Sequence, residues 1–227
     1  KTAIDHSGNF VVTWVGEGIA GSGSDVFGQR FDSMGAMAGS EFLVNTTTDA
    51  SQVSPAVGMN ASGDFVVTWQ SVHLDGFSWG IYGHQYNADG STVMGREEFR
   101  VNNHVMGPQT HSAVAVRPDG DTLVAWVGND VNHVPAVHAK RFPLGSLDVV
   151  PGDVPDLVLA NFVALEDTPP DAAMDALENS IVVWQSFGQD GDGFGVHAIK
   201  LDSDGEPLID PFLVNVGQEL GNQSDPA

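Results

Sequence analysis

One phrase recurs four times along this chain and constrains its fold more than any other feature. It reads GDFVVTW at 63–69, GNFVVTW at 8–14, GDTLVAW at 120–126 and, in a weaker copy, NSIVVW at 179–184. The four tryptophans that close the phrase are separated by 55, 57 and 58 residues. A fixed period of this size indicates an array of small β-units. We therefore expect these tryptophans, Trp14, Trp69, Trp126 and Trp184, to be equivalent and buried between neighbouring units.

Each repeat contains four strand-like segments. In the second repeat they are 53–59, 64–70, 80–86 and 98–102, with turn sequences NASG at 60–63 and NADG at 87–90 between them. Four short antiparallel strands that recur about every 56 residues are typical of β-propeller blades. The sequence therefore predicts an all-β, four-bladed β-propeller that forms a single domain over 1–227. A fragment of a larger propeller is the alternative.

The two ends of the chain suggest how the ring closes. The segment QSDPA at 223–227 matches QVSPA at 52–56, and 2–10 match 57–65. The last residues would then form the first half of an inner strand that the first residues complete. We predict that 223–227 close the ring with 2–10, which would leave no open sheet edge.

The charge balance limits the classes of partner. The net charge is −22, from 8 lysines and arginines against 30 aspartates and glutamates, and the chain has no cysteine. Such a surface repels nucleic-acid phosphates and anionic membranes and suits divalent cations. Without cysteine there are no disulfides and no thiolate metal sites. The sequence also lacks an apolar run of about 18 residues, so we expect no membrane insertion.

The repeated phrase also carries a resemblance to a known group of proteins. GDFVVTW, followed by GIYGHQYNADG at 80–90 and EFRVN at 98–102, resembles the tandem repeats of large secreted bacterial proteins. Such repeats accompany calcium-binding RTX motifs and adhesin-like regions. The resemblance covers nearly the whole chain and is poorest at 143–180. It implies an extracellular or cell-surface location, but the RTX nonapeptide is not in this sequence, so the motif does not carry calcium binding over.

A calcium site is predicted instead from the loops between the second and third strands of the blades. Asp190 and Asp192 are two carboxylates separated by a glycine, and Asp75 occupies the position equivalent to Asp190. Calcium takes several oxygen ligands, and such a loop can supply carboxylates and backbone carbonyls together. The alternative is that these Asp-Gly pairs only form turns.

A second group of polar residues lies where the innermost strands begin. Three glutamines and one aspartate occupy this position in the four repeats, and in a propeller they would surround the mouth of the axial channel, where they could bind an ion or a polar ligand: Gln52, Gln109, Gln223 and Asp167. The alternative is that each side chain caps backbone groups at the start of a strand.

Aromatic residues in the same loops are candidates for contact with a ligand. Trp79 is the only tryptophan outside the repeated phrase, it shares a loop with Phe77, and Phe194 lies in the equivalent loop of the fourth repeat. Exposed aromatic rings on a rigid scaffold can stack on sugars or anchor a protein partner. Packing onto the neighbouring blade is the alternative.

Catalysis has the weakest support in the sequence. No GxSxG or HExxH motif is present, and His104 and His111 could form a metal pair only with a third ligand that the sequence does not place. We therefore predict a secreted, non-enzymatic binding or adhesion module for a carbohydrate or protein ligand, with calcium as its predicted ion. The alternative is a structural or accessory subunit of a larger extracellular assembly, and an enzyme comes third.

Overall fold

The computed structural model describes residues 1–19, 23–72, 78–95, 97–144, 154–161, 169–177, 179–188, 193–216 and 226. Within these ranges the chain forms sixteen β-strands in four sheets of four. Blade 1 contains β1 (Thr2–Ile4), β2 (Phe10–Glu17), β3 (Ser24–Phe31) and β4 (Phe42–Leu43). Blade 2 contains β5 (Gln52–Met59), β6 (Phe65–Val72), β7 (Trp79–Tyr86) and β8 (Phe99–Arg100).

Blade 3 contains β9 (Gln109–Val116), β10 (Asp121–Asn129), β11 (Pro135–Pro143) and β12 (Leu157–Asn161). Blade 4 contains β13 (Asp171–Met174), β14 (Ser180–Phe187), β15 (Phe194–Leu201) and β16 (Phe212–Leu213). In every sheet the strands follow chain order and pair antiparallel. The predicted four-bladed β-propeller is confirmed. None of the described segments is a helix long and apolar enough to cross a membrane.

The outermost strand is only two residues long in blades 1, 2 and 4 because an asparagine side chain takes over where the strand ends. The Oδ1 atoms of Asn45, Asn102 and Asn215 accept hydrogen bonds of 2.8, 2.7 and 2.8 Å from backbone N–H groups of the adjacent third strand. A side chain that pairs with backbone in this way competes with the regular ladder. The recurring asparagine therefore ends the fourth strand at an equivalent place in three blades.

The repeated tryptophans pack against the preceding blade. Trp69 lies in a cluster with Val11 and Val26 of blade 1, and Trp126 lies in a cluster with Ile81 of blade 2. Trp184 likewise packs with blade 3, and all three indoles are buried. Trp14 differs from our prediction because it is only half-buried. Its preceding neighbour around the ring is blade 4, so this difference marks the seam between blades 4 and 1.

The seam between blades 4 and 1 is packed less tightly than the other three interfaces. Ile181 of blade 4 is 37% exposed, whereas its counterpart Val66 in blade 2 is fully buried. Phe212 is 40% exposed, although its counterpart Phe42 packs against two aromatic rings of the next blade. Pro226 and Thr2 line one cavity, while 223–225 and 227 lie outside the described residues. Closure of the ring by 223–227 with 2–10 stays a prediction.

A blade latch joins blades 1 and 2. Glu98, beside the outer strand of blade 2, accepts hydrogen bonds of 2.7 and 3.0 Å from the backbone N–H groups of Thr46 and Thr47 in blade 1. His84 of blade 2 contacts the carbonyl oxygen of Val44 through Nδ1 at 2.8 Å, so this nitrogen carries the proton. Burial lowers the pKa of His84, although the Val44 carbonyl and Glu98 favour its charged form.

The same blade latch joins blades 2 and 3 with different side chains. Asp156 Oδ2 accepts the backbone N–H groups of Asn103 and His104 at 2.8 and 3.0 Å. Lys140, at the position of His84, donates to the carbonyl of Val101 and forms a 3.0 Å ion pair with Asp156. Burial lowers the pKa of Lys140, and Asp156 opposes that shift. The repeated geometry indicates a structural role for this buried pair.

Aspartate side chains close five of the turns. The Oδ1 atoms of five aspartates each accept two backbone N–H groups of their own loop: Asp5, Asp32, Asp130, Asp175 and Asp202. The hydrogen bond from the backbone of Val134 lowers the pKa of Asp130, and the hydrogen bond from the side chain of Asn179 lowers that of Asp175. In Asp130 and Asp175 these hydrogen bonds favour the charged carboxylate, which is the form that accepts them.

Candidate functional site at the axial opening

The innermost strands of blades 2 and 3 carry the same β-bulge. In β5 the pairing passes from Val53 to Ala56 across one residue of β6, so Ser54 and Pro55 both lie opposite Trp69. In β9 it passes from Thr110 to Ala113, so His111 and Ser112 both lie opposite Trp126. Bulges bend a strand and redirect its side chains, and they are common beside active sites. The two bulges therefore mark one position on the axial side of the propeller.

Both bulges contain a residue in the left-handed region of backbone space. Ser54 has a φ of 53° and His111 a φ of 54°. Glycine is the usual residue there, because a Cβ atom in this conformation costs roughly 1–2 kcal/mol. The His111 N–H donates to Oε1 of Gln70 in blade 2 at 2.9 Å, which holds this bulge against the neighbouring blade.

These bulges line a cleft at the axis. A cavity of 390 Å³ is bounded by residues that include Trp14, Ser54, Pro55, His111, Ser112 and Pro169. It shares Ser112 and Pro169 with a second cavity of 280 Å³, which the inner strands of all four blades line. We call the two cavities together the axial cleft. Because its walls come from every blade, the cleft exists only when the propeller is assembled.

The chemistry of the axial cleft combines one aromatic wall with small polar groups. Trp14 is half-buried and stacks on Phe27, with a distance of 6.3 Å between the ring centroids. Ser54, His111 and Ser112 supply hydroxyl and imidazole groups, and the described lining residues include one carboxylate, Asp171, and one lysine, Lys1, whose charges offset each other. An aromatic face beside a few polar groups suits a ring-shaped, polar and uncharged ligand.

The glutamines predicted to surround the channel mouth have an internal role. Gln52 and Gln109 are fully buried, and their Oε1 atoms accept hydrogen bonds of 3.0 Å from the indole N–H groups of Trp69 and Trp126. Their amide nitrogens donate to the carbonyls of Asp49 and Asn129. These bonds engage both ends of each amide, so they do not favour the ligand-binding role that we predicted.

Six of the predicted site residues lie outside the described part of the chain. They are the loop residues Asp75, Phe77, Asp190 and Asp192 and the inner-strand residues Asp167 and Gln223. In the repeat alignment Asp167 and Gln223 occupy the position of Gln52. Their roles in metal or ligand binding stay predictions.

The remaining aromatic candidates do not come together. Trp79 is half-buried at the start of β7, where it pairs with Val72. Phe194 packs edge-on against Phe187 of its own blade, with 5.0 Å between the ring centroids. Neither residue lines the axial cleft as described. Their part in ligand binding stays a prediction.

Within the described ranges no group of three or more histidine, aspartate or glutamate side chains could hold a metal ion. His104 belongs to the loop that Asp156 caps, whereas His111 lines the axial cleft, so a shared metal site has no support from their positions. The predicted calcium site in the Asp190 loop stays a prediction.

The sequence reasoning missed the axial cleft. The available signal was the contrast between a constant frame and a variable position. The residue that opens the inner strand lies at a constant spacing before the repeated tryptophan in blades 2, 3 and 4. The residue two positions after it, however, changes from Ser54 to His111 to Pro169. Such variation within a repeat points to a surface where the blades differ in chemistry.

No protein-family model matches the chain, and no curated protein sequence matches it. Several solved structures, in contrast, are similar to it in fold. A Hadza microbial sialidase is similar with a TM-score of 0.58 and 12% identity, over 90% of this chain and 44% of the sialidase. The GH93 α-L-arabinofuranosidase of Fusarium graminearum, solved with arabinobiose, has a TM-score of 0.58 and 11% identity, over 93% of this chain and 64% of the enzyme.

A third similar structure is the α-L-arabinofuranosidase of Podospora anserina in complex with cellotriose. Its TM-score is 0.53 at 11% identity, and the match covers 99% of this chain and 71% of the enzyme. The fold is shared. This chain spans less than half of the sialidase and about two thirds of the Fusarium enzyme, so the activities of those proteins are theirs and not findings about this one.

These comparisons correct our functional prediction. We predicted a non-enzymatic binding or adhesion module, with a structural or accessory subunit as the alternative. The three solved structures described above, which share the fold, are carbohydrate-acting enzymes instead. The propeller-type repeat is confirmed, whereas the association with RTX or adhesin proteins stays a prediction. Because identity is only 11 to 12%, the likeness establishes the fold and leaves the activity to be argued from the site.

Proposed function

We propose that this chain is a carbohydrate-active enzyme domain that holds an uncharged oligosaccharide in the axial cleft and hydrolyses a glycosidic bond. The observation that carries the proposal is the half-buried Trp14 beside hydroxyl and imidazole groups on the propeller axis. Sugars present apolar C–H faces that stack on indole and hydroxyl edges that need hydrogen-bonding partners. The similar structures solved with arabinobiose and cellotriose support the same ligand class.

Glycoside hydrolysis needs two carboxyl groups in most enzymes. One protonates the departing glycosidic oxygen, and the other activates water or attacks the sugar, so that water is added across the broken bond. Asp171 is the carboxylate that lines the described axial cleft. Its Oδ1 accepts the backbone N–H of Ala172 at 2.9 Å, which orients the group at the start of β13. We assign Asp171 one of these two roles; the described lining of the axial cleft contains no second carboxyl group.

The binding step is tested by comparing the two half-buried tryptophans. Calorimetric titration with cellotriose and with arabinobiose should show binding to the wild type. Trp14→Ala should weaken the affinity about tenfold, since about 1.4 kcal/mol corresponds to a factor of ten. Trp79→Ala is the matched control and should leave the affinity unchanged. A loss of binding in the Trp79 variant alone would move the site to the loop that the sequence predicted.

The reaction is tested by the release of reducing sugar from arabino- and cello-oligosaccharides. Asp171→Asn should lower the rate by about 10²–10⁴-fold while the affinity measured by calorimetry is kept. Glu17→Gln removes an exposed carboxylate at the end of β2 and should not change the rate. A wild-type protein that binds these sugars without hydrolysing them, or an Asp171→Asn variant with full activity, would contradict the assignment.

Three finer predictions from the sequence remain proposals. They are an extracellular location, an association with RTX-bearing secreted proteins and a calcium ion at Asp190 and Asp192. The net charge of −22 and the Asp-Gly spacing of that loop support calcium, and the repeat resemblance supports the location. Secretion would give such an enzyme access to polymers outside the cell.

A further inference from the structure

We infer that Ser54 and His111 are substrate contacts that set the specificity of the axial cleft for an uncharged glycan, and that the chain keeps their left-handed backbone for this purpose. The inference rests on the proposed function. It adds two residues from different blades, which occupy one repeat position and line the same cavity as Trp14.

The frame around these two residues is repeated, but their side chains are not. In both blades a buried glutamine lies two residues earlier and holds the tryptophan opposite the bulge. The bulge residue itself is serine in blade 2 and histidine in blade 3, and the residue that aligns with them in blade 4 is Pro169. A purely structural bulge would be served in each blade by the same small residue. Differing side chains on an identical frame indicate that the blades make different contacts with one asymmetric ligand.

The backbone strain at these two positions supports the same inference. Glycine adopts a φ near 54° without a steric cost, whereas serine and histidine do not. Strained residues persist where the surrounding structure holds them, and they cluster at functional sites. The other non-glycine residues with positive φ in the described chain are Ala50 and His133, which lie in loops and do not line the axial cleft. Those two provide matched controls for the backbone effect.

Charge decides the class of sugar. The protein carries −22 overall, while the described lining of the axial cleft holds one acidic residue, Asp171, and one lysine, Lys1, whose side-chain charges offset each other. The field of the whole chain therefore disfavours the approach of an anionic sugar to the cleft and leaves a neutral sugar unaffected. The inferred substrate is therefore a neutral oligosaccharide, and a uronic or sialic acid at the same position would be repelled.

Glycine substitution separates the contact from the backbone. Ser54→Gly and His111→Gly should each raise the melting temperature by about 2–4 °C, because they relieve backbone strain in a chain of this size. They should also weaken the binding of cellotriose and arabinobiose about tenfold, and His111→Gly should change the ratio of the two affinities. Ala50→Gly and His133→Gly should raise the melting temperature equally and leave both affinities unchanged.

The outcomes distinguish this inference from the proposed function. If the wild type binds a neutral sugar and both cleft variants bind it equally well, Ser54 and His111 are not contacts, and the proposed function then rests on Trp14 and Asp171 alone. If the wild type binds none of these sugars, the proposed function fails and this inference fails with it. Tighter binding of a glucuronic-acid oligosaccharide than of cellotriose would overturn the assignment of a neutral substrate. A fall in melting temperature on glycine substitution would overturn the argument from strain.

Discussion

The hydrogen bond between Gln52 and Trp69 shows how a single buried acceptor holds the repeated tryptophan in place. The indole N–H reaches Gln52 Oε1 at 3.0 Å, and both residues are fully buried. Gln52→Ala should lower the free energy of unfolding by about 1–3 kcal/mol, because a buried donor is left without its acceptor. Urea denaturation checks this value. In a Trp69→Phe background the same change should cost much less, and an equal cost in both backgrounds would contradict the coupling.

A second prediction at this scale concerns the pH dependence of stability. Burial lowers the pKa of His84 below that of the unfolded chain, which is about 6.5. The unfolded chain therefore binds more protons as the pH falls through this value, and stability is lost below about pH 6.5. His84→Gln introduces the side chain that blade 1 has as Gln29 at this position. The variant should lose less unfolding free energy between pH 7.5 and 5.5 than the wild type. Parallel losses would exclude His84, although the buried His138 contributes in the same direction.

At the scale of the elements, the blade latch links the outer strands of blades 2 and 3 to the loop of the preceding blade. Glu98 accepts the N–H groups of Thr46 and Thr47 across the interface of blades 1 and 2. Glu98→Ala should lower the free energy of local opening by roughly 1 kcal/mol. Hydrogen exchange should then be faster at the Thr46 and Thr47 amides, while the core of β6 remains protected. Glu97→Ala removes the neighbouring exposed carboxylate and is the control. Equal exchange in both variants would show that the contact carries no stability.

For the whole molecule, three packed interfaces and one looser seam account for the place of the axial cleft. Trp69, Trp126 and Trp184 bury their rings against the preceding blade, whereas Trp14 faces the seam and stays half-buried. The same repeated tryptophan is therefore a core residue in three blades and part of the cleft wall in blade 1. Its ring can serve a ligand because blade 4 does not cover it fully.

The charge of the whole chain leads to the last prediction. A protein of −22 folds against its own repulsion, so cations that bind only the folded form stabilise it. Calcium should raise the melting temperature more than magnesium at equal ionic strength, since magnesium requires stricter octahedral geometry. Asp190→Asn combined with Asp192→Asn should abolish the difference. Equal effects of the two ions, reproduced by sodium chloride, would show screening alone and reject the predicted site.

The sequence by itself determined the number of blades and the order of their strands. Each strand pairs with the next one along the chain, so alternating strand and turn patterns are sufficient to place it. The predicted segment 64–70 corresponds to Phe65–Val72, and 80–86 corresponds to Trp79–Tyr86. The predicted outer strand at 98–102 is shorter, because the side chain of Asn102 replaces the ladder there.

Only the tertiary structure decided what the polar and aromatic residues do. Gln52 was predicted to bind a ligand at the mouth of the axial channel. In the structure it is buried, and its Oε1 accepts the hydrogen bond from the indole N–H of Trp69. The sequence predicts Trp14 to be one of four equivalent core residues. Its exposure depends on blade 4, which lies far away along the chain. The axial cleft brings Trp14, Ser54 and His111 together from three blades. A repeat period describes what neighbouring units share, whereas a site is formed by their differences once the ring brings them into contact.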